Sequence, residues 1–246
     1  MNLPLNYNKL SLWSTGDDSP TSVNRYIEKI LKKNHVRKVL DFACGTGAQV
    51  FWLTKHGFEV TGIDISPGML KIAKKIAKKE MVKVKLLSGD MCITKIGSFD
   101  AVIAIFNAVG HLTKKGFERA MRNARNNLNE DGLYLFDIFN FNCEKNDVMT
   151  MDVTKNFGDT KIRKIQCCKL NKKNGILLCN DEFHVQKGFA KLKKYKGKFS
   201  LQTYSTEELR EMLTRNGFEV LGQYGIDGSK LSDKKTARIM TIARKK

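Results

Sequence analysis

Val39-Leu40-Asp41-Phe42-Ala43-Cys44-Gly45-Thr46-Gly47 is the stretch that decides the fold of this chain of 246 residues. It is a short apolar strand that carries an acidic residue and runs directly into a glycine-rich turn. Glycine has no Cβ, so the backbone of such a turn can approach a ligand closely. The helix expected over 48–56 begins with backbone N–H groups that have no partner inside the helix. The stretch therefore predicts a site for a nucleotide-like ligand at the end of a strand.

The segments around this turn alternate between strand-like and helix-like patterns. Helices are predicted over 21–33, 48–56, 66–79 and 114–128, and strands over 38–41, 59–65, 82–87, 99–106 and 133–138. The run at 99–106 is almost continuously apolar, as expected of a strand that is buried on both faces. This alternation indicates an α/β, Rossmann-like fold, in which helices cover both faces of a parallel sheet.

After Cys143 the pattern changes to antiparallel strands, which are predicted at 161–170, 175–185 and 189–199. The helical pattern returns where Ser205 and Glu208 predict a capping box, and two strands at 218–224 and 236–243 close the chain. We therefore expect one domain over 1–246. Its parts are an N-terminal arm and helix (1–34), a cofactor-binding core (35–142), a β-rich insertion (143–203) and a closing helix and strands (204–246).

The chain is strongly basic, with a formal net charge of +19. Such a charge is compatible with a nucleic-acid or other polyanionic partner. Of the 44 basic residues, however, 34 are lysine and 10 are arginine, and arginine is the better ligand for phosphates and bases. Because the lysines are also scattered along the chain, a solvated surface is the favoured interpretation, and a nucleic-acid partner is the alternative.

The sequence predicts a cytoplasmic protein without a membrane segment. No apolar run approaches the ~20 residues that a spanning helix needs, and the N-terminus lacks a basic segment before an apolar one. The six cysteines show no C-x-x-C spacing and no paired histidines, so no metal site is predicted. Reduced thiols fit best, and Cys143, Cys167 and Cys168 are interpreted as packing or surface thiols.

Asp64 stands at the end of the strand that follows the glycine turn. A carboxylate there can accept hydrogen bonds from both hydroxyls of a ribose, as it does in nicotinamide cofactor sites. The dinucleotide fingerprint also requires a small residue three positions after its second glycine, where this chain has Val50. This departure weakens the dehydrogenase interpretation. The alternative role for Asp64 is structural, as a cap for the helix that begins at Ser66-Pro67.

Two further motifs follow the next two strands. Gly89-Asp90-Met91 comes after the third strand, although Gly-Asp alone is an ordinary turn dipeptide. Phe106-Asn107-Ala108-Val109-Gly110-His111-Leu112 leaves the fourth strand toward the side where ligands of such sheets bind. Their order after Asp41 and Asp64 makes the set much more specific than any one of its members.

In this order the motifs resemble those of the class I S-adenosylmethionine-dependent methyltransferases. Stretches 39–47 and 107–112 are similar to glycine N-methyltransferase and to related small-molecule N-methyltransferases, including amino-sugar ones. The resemblance covers about 37–140 and 209–224, and it implies a seven-stranded sheet, S-adenosylmethionine as cofactor and S-adenosylhomocysteine as product. Asp90 would accept the adenine amine beside Met91. The full set of cofactor-binding residues implied is Trp13, Asp41, Ala43, Gly45, Gly47, Asp64, Ile65, Met69, Gly89, Asp90, Met91 and Phe106.

Phe139 departs from the family pattern. Glycine N-methyltransferase has Asp-x-Arg-Asn-Tyr after its fifth strand, with the arginine for the substrate carboxylate, whereas this chain has Asp137-Ile138-Phe139-Asn140-Phe141. Phenylalanine cannot make the bidentate, charge-assisted contact that a carboxylate favours. Glycine is therefore a poor substrate prediction, and a larger or more apolar acceptor is expected.

His111 and Asn107 are the predicted catalytic residues. An ordinary histidine titrates near pH ~6.5, so His111 can serve as a base for an amine acceptor or merely tether its loop. Asn107 is expected to place its backbone near the methionyl end of the cofactor. Tyr7 and Trp13 are predicted to fold over the site as a lid, with a mobile N-terminal arm as the alternative.

The sequence thus predicts in-line methyl transfer from S-adenosylmethionine to a small molecule, with nitrogen as the favoured acceptor atom. The alternatives are an RNA- or ribosome-directed methyltransferase and a non-catalytic S-adenosylmethionine-binding protein. Residues 107–110 lack the Pro-Pro-aromatic motif of adenine-amino methyltransferases, and nothing around Cys143 resembles the nucleophile motif of cytosine-C5 enzymes. The protein is expected to be a monomer or a homodimer.

Overall fold

Two β-sheets and five α-helices make up residues 20–246, the part of the chain that the computed structural model describes. The helices are α1 (Pro20–Lys33), α2 (Ala48–Lys55), α3 (Pro67–Lys79), α4 (Lys114–Asn127) and α5 (Thr206–Arg215). The larger sheet contains β1 (Lys38–Phe42), β2 (Glu59–Asp64), β3 (Lys85–Ser88), β4 (Phe99–Ala104), β5 (Leu128–Phe139), β10 (Phe218–Gly225) and β11 (Arg238–Lys245). The smaller sheet contains β6 (Val148–Phe157), β7 (Thr160–Asn171), β8 (Ile176–Lys187) and β9 (Lys193–Gln202).

The larger sheet has the strand order β10-β11-β5-β4-β1-β2-β3, so the predicted seven-stranded, Rossmann-like sheet is confirmed. Strands β1 to β5 run parallel, and β11 pairs antiparallel with both β5 and β10. The carboxyl ends of the five parallel strands therefore meet at one edge. The order of connection reverses between β1 and β4, which is where open sheets of this kind bind ligands.

Side chains of β5 show how the sheet divides the core. Leu133 and Leu135 pack with α1, α2 and α3 on one face, whereas Tyr134, Phe136 and Ile138 pack with α4 and α5 on the other. All five are almost inaccessible to solvent. This alternation is the two-residue period of a strand that is covered on both faces.

The antiparallel insertion has four strands, not the three that the sequence predicted. The missed strand, β6, alternates between exposed and half-buried residues along its whole length and pairs with β7 from Val148–Lys169 to Phe157–Thr160. Its aspartate, lysine and asparagine residues weaken the strand signal. The pairing with β7 stabilises it, and Gly158 in a left-handed conformation (φ 60°) closes the hairpin.

A disulfide joins Cys168 of β7 to Cys179 of β8, so the prediction that these cysteines are reduced thiols is wrong. The two residues lie directly opposite each other in the register of the hairpin, and their side chains are 2% and 3% exposed. Their separation of 11 residues matches no recognised cysteine motif. The sequence alone therefore does not indicate this pairing, which follows from the register of the two strands. Cys143 is buried and Cys167 is exposed, and both are free.

Two local predictions also differ from the structure. The strand predicted at 133–138 begins already at Leu128, and it contains a bulge where the pairing with β4 moves from Phe99–Leu128 to Ala101–Leu133. Ser205 does cap α5, since its Oγ accepts a hydrogen bond from the nitrogen of Glu208 at 3.2 Å. The Glu208 carboxylate, however, forms an ion pair with Lys114 of α4. Among residues 20–246, no helix is long and apolar enough to cross a membrane.

Candidate active site

The glycine turn between β1 and α2 leaves open space at the edge of the larger sheet. Gly45 and Gly47 both have left-handed backbones, with φ of 55° and 91°. A Cβ on Gly47 would lie 2.6 Å from the ring of Phe51, so this glycine is required by packing. A Cβ on Gly45 would meet nothing closer than the carbonyl oxygen of Ala43, at 4.0 Å. The turn therefore offers a ligand room at Gly45, whereas Gly47 fixes the start of α2.

Asp64 at the end of β2 organises this turn with both of its carboxylate oxygens. Oδ2 accepts a hydrogen bond from the nitrogen of Gly45 at 2.7 Å, and Oδ1 accepts one from the nitrogen of Ser66 at 2.8 Å. The second contact realises the structural alternative considered for Asp64, and Ser66 itself caps α3. A carboxylate oxygen has more than one lone pair, so these backbone contacts leave Asp64 able to accept from a ligand.

Asp41 is a buried acid close to Asp64. Its side chain is 1% exposed, and its Oδ2 has no hydrogen-bond partner among the described residues. Burial, together with the negative charge of Asp64, raises the pKa of Asp41 well above its ordinary value. Buried polar atoms in native proteins are nearly always satisfied. An orphaned acid beside an open glycine turn therefore fits a ligand that brings its own hydrogen-bond donors, as an ammonium group and ribose hydroxyls would.

The motif after β3 lies next to Asp64. The nitrogen of Gly89 donates to the carbonyl oxygen of Asp64 at 3.1 Å, while Asp90 accepts from the nitrogen of Cys92 at 2.8 Å. Ile65, directly after Asp64, is 71% exposed. A half-buried carboxylate thus lies on the same side of the sheet as a large exposed apolar side chain. The other apolar residues predicted here, Met69 and Met91, are half-buried.

The loop 106–112, which follows β4, begins with two consecutive left-handed residues that are not glycine. Phe106 has φ 62° and Asn107 has φ 59°. Asp137 of β5 accepts hydrogen bonds from both of their backbone nitrogens, at 2.6 and 3.0 Å. The Asn107 side chain in turn accepts from the nitrogen of Phe139 at 3.1 Å. A Cβ at Gly110 would lie 2.4 Å from Nδ2 of Asn107, so the glycine makes room for this asparagine.

Beyond this loop lies a pocket of about 180 Å³, which we call the inter-sheet pocket. It separates the edge of the larger sheet from the inner face of the insertion. Its lining is mainly apolar and includes the disulfide: Phe106, Asn107, His111, Phe139, Met149, Gln166, Cys168, Leu177, Cys179, Phe199, Leu201 and Arg238. Both predicted catalytic residues are therefore at one pocket, together with side chains of all four insertion strands.

His111 stands at the mouth of the inter-sheet pocket. Its ring centroid is 6.2 Å from that of Phe199 on β9. The residue is accessible to solvent on one side, while the protein packed around its other sides lowers its pKa by desolvation. His111 is therefore a neutral imidazole over a wider pH range than an exposed histidine, and a neutral imidazole has one nitrogen that can accept a proton.

Arg238 is the charged residue among the pocket residues that the sequence analysis missed. It lies opposite Phe139 in the register between β11 and β5, and it forms a buried ion pair with Asp137. The pocket therefore contains a guanidinium although Phe139 occupies the position that is arginine in glycine N-methyltransferase. An arginine directly before the run Ile239 to Ala243, which is apolar except for Thr241, is the signal that could have indicated a special role.

The predicted lid residues Tyr7 and Trp13 lie outside the described residues. Within 20–246, no group of three or more histidine, cysteine or acidic side chains is placed to hold a metal ion. The remaining predicted cofactor-binding residues lie at the carboxyl ends of β1, β2, β3 and β4. They therefore converge on one edge of the sheet, with the inter-sheet pocket beyond it.

Residues 39–132 match the family model of a methyltransferase domain. A protein of Geobacillus sp. (strain WCH70), provisionally named a methyltransferase, is 27% identical over 225 residues, or 89% of this chain and 90% of that protein. Glycine N-methyltransferase of Oryctolagus cuniculus is 33% identical over 129 residues, or 46% of this chain and 44% of that enzyme. The second similarity therefore involves less than half of either chain.

Two solved structures share the fold over nearly their full lengths. An S-adenosylmethionine-dependent methyltransferase from Clostridium acetobutylicum ATCC 824 has a TM-score of 0.82 at 18% identity, covering 97% of this chain and 95% of that one. CalS10, an amino pentose methyltransferase from Micromonospora echinaspora solved with S-adenosylmethionine bound, has a TM-score of 0.74 at 18% identity, covering 100% and 99%. At these identities the likeness establishes the fold.

Residues 39–132 carry a methyltransferase domain. The chain as a whole has the fold of S-adenosylmethionine-dependent methyltransferases, as its motifs predicted.

Proposed function

We propose that the protein transfers the methyl group of S-adenosylmethionine to a nitrogen atom of a small molecule held in the inter-sheet pocket. The observation that carries this proposal is the composition of that pocket. One wall comes from the 106–112 loop, and the other comes from the insertion. The loop lies next to the edge of the larger sheet that carries the predicted cofactor-binding residues at the ends of β1 to β4, which we call the cofactor edge. An acceptor between these walls would lie against Asn107 and His111.

The cofactor assignment rests on the three acids at the strand ends. Asp64 would accept from the ribose hydroxyls and Asp90 from the adenine amine, with Ile65 and Met91 against the adenine ring. The open side of Gly45 would admit the methionyl part close to the unpartnered oxygen of Asp41. This assignment gives the orphaned acid a cationic partner, which a buried carboxylate requires.

When bound, the cofactor supplies a methyl group that its sulfonium already activates. The protein then needs to align the nitrogen lone pair with that methyl group and to keep water away. The rings of Phe106, Phe139 and Phe199 provide an apolar wall for this purpose. His111, held neutral, would accept the proton that an amine must lose, either before or after transfer.

The size and charge of the inter-sheet pocket favour a small acceptor over a nucleic acid. Its volume of about 180 Å³ is below the ~300–1,000 Å³ of common ligand clefts. Apart from His111, its one basic lining residue is Arg238, whose charge is already balanced by Asp137. CalS10, which is similar over the whole chain, acts on an amino pentose. Amines of about this size, amino sugars included, are therefore the first acceptors to test.

The decisive experiment measures release of S-adenosylhomocysteine in the presence of a panel of small amines. Each amine is matched with the hydroxyl compound of the same skeleton, and structured RNA is tested in parallel. We expect turnover with one or more amines and none with their hydroxyl partners. Turnover with RNA alone would replace the proposal with the nucleic-acid alternative. Tight cofactor binding without turnover on any acceptor would favour the non-catalytic one.

A further inference from the structure

We infer that Asp137 and Arg238 form a positioning pair that holds the 106–112 loop in the geometry required for methyl transfer. This inference rests on the proposed function, because it assigns the loop to the acceptor side of the reaction. Neither residue needs to touch the reacting atoms. Asp137 acts on the loop through backbone hydrogen bonds, and Arg238 acts through Asp137.

The first step of the argument is the direction of the hydrogen bonds. Asp137 Oδ1 accepts from the nitrogen of Phe106, and Oδ2 accepts from that of Asn107. The same strand also donates from the nitrogen of Phe139 to the side chain of Asn107. The loop is therefore fastened to β5 in both directions, at the two residues that turn the chain from β4 into the site.

The second step is the backbone conformation that these bonds maintain. Phe106 and Asn107 are both left-handed, which is uncommon for residues other than glycine and unfavourable for a bulky one. Such conformations persist where the surrounding structure determines them, and they cluster at functional sites. Without an acceptor for their two N–H groups, the pair of residues would have little to keep it in this conformation.

The third step is the requirement for Arg238. The Asp137 side chain is fully buried, and the Arg238 side chain is 10% exposed. A buried carboxylate with two N–H donors still carries a negative charge, and a buried charge needs an opposite one. Arg238 donates to Asp137 Oδ2 from both Nε and Nη2.

The guanidinium of Arg238 is also held by aromatic rings. Its central carbon is 5.4 Å from the ring centroid of Phe106 and 5.8 Å from that of Phe139. A planar guanidinium can stack on rings while donating to a carboxylate, and a lysine ammonium cannot reproduce this combination. Arg238 therefore fixes the carboxylate of Asp137 and the side chain of Phe106 together.

The test compares Asp137→Asn, Arg238→Lys and Arg238→Gln with wild type, using an amine that the panel identifies as an acceptor. We expect kcat to fall by about 100-fold, the loss typical of misplaced reacting groups, whereas the dissociation constant for S-adenosylmethionine changes by less. Arg238→Lys keeps a positive charge beside Asp137, so we expect this variant to fold even if removal of the charge in Arg238→Gln prevents folding. Arg163→Gln is the matched control, because Arg163 forms an ion pair with Asp152 on the exposed side of the insertion. It should leave kcat unchanged.

Hydrogen exchange gives a readout that needs no acceptor. The amides of Phe106 and Asn107 should exchange faster in all three variants, while amides of β1 and β2 keep their protection. Slow exchange at both amides in a folded Asp137→Asn protein, or wild-type kcat in folded Arg238→Lys and Arg238→Gln, would overturn the inference. If the exchange result is as expected but no amine is methylated, the positioning pair stands and the proposed acceptor class fails.

Discussion

The backbone nitrogen of Gly45 donates a hydrogen bond to Asp64 Oδ2 across 2.7 Å, which ties the glycine turn after β1 to the end of β2. The other oxygen of the same carboxylate holds the nitrogen of Ser66, at the start of α3. The glycine turn, the end of β2 and the start of α3 therefore share one acid. A site that is organised in advance loses less entropy when its ligand binds.

Replacement of Asp64 by asparagine should weaken S-adenosylmethionine binding by about 10- to 100-fold, the usual effect of losing hydrogen bonds to a charged acceptor. Isothermal titration calorimetry measures the effect directly. Asp100→Asn is the matched control, since Asp100 also accepts from two backbone nitrogens, those of Arg37 and Lys38, at the opposite edge of the sheet. Equal affinities of wild type and Asp64→Asn would refute the ribose assignment.

Asp41 should make the cofactor-free protein less stable as the pH rises. Its pKa is raised in the folded state, so its contribution to stability is complete below the unfolded pKa of ~3.9 and is lost as the pH approaches the folded value. Asp41→Asn removes this loss, which is ~1.4 kcal/mol for every tenfold difference in proton affinity between the folded and unfolded states. Denaturant unfolding at pH 5, 7 and 8 should show a variant whose stability, relative to wild type, increases with pH. Stability profiles of wild type and Asp41→Asn that stay parallel from pH 5 to pH 8 would contradict this expectation. The same variant should also bind S-adenosylmethionine more weakly.

His111→Gln should reduce kcat by about 100-fold if the imidazole accepts the acceptor's proton. Because the pKa of His111 is lowered, the acidic limb of the wild-type rate profile should lie below pH ~6.5. The variant should lack that limb while its cofactor affinity stays close to that of wild type. His56→Gln serves as control, since His56 stacks on Trp52 at the end of α2. An unchanged profile would reduce His111 to a tether of its loop.

Loss of the Cys168–Cys179 disulfide should destabilise the insertion by about 3 kcal/mol, the value expected for a short closed loop. Because both sulfurs line the inter-sheet pocket, the KM for the acceptor should rise as well, with little change in cofactor affinity. Unfolding and kinetics of Cys168→Ser, with and without dithiothreitol, measure both effects. Cys167→Ser is the control, because Cys167 is the exposed neighbour on the same strand. Matching behaviour of the two variants would contradict a role for the disulfide.

The convergence of the predicted cofactor-binding residues on one edge of the sheet could be predicted from the sequence because its signals are local. Asp41, Gly45, Asp64 and Asp90 each lie at or next to the carboxyl end of a strand, and parallel strands bring those ends together in every sheet of this type. The order of the motifs along the chain was therefore enough to indicate their proximity. This prediction did not require knowing which strands that are distant in sequence pair with each other.

The inter-sheet pocket depends on strand pairings that a single sequence does not reveal. Arg238 reaches the pocket because β11 pairs antiparallel with β5, and Asp137 is 101 residues away from it in the chain. The disulfide depends in the same way on the register of β7 and β8. Phe139 was interpreted as unable to bind a carboxylate, but the charge at that position comes from Arg238 of the neighbouring strand.

The place of β11 in the larger sheet has a consequence for the order of folding. Within residues 20–246 it follows every other strand in sequence, yet it lies between β10 and β5 and not at an edge. Until it forms, one side of β5 has no strand partner, and an unpaired strand edge invites association with other chains. Asp137 also lacks its counter-charge until the same moment. A chain emerging from the ribosome can therefore assemble the ends of β1 to β4 early, but the 106–112 loop is fastened only after residues 238–245 have been synthesised and have paired with β5.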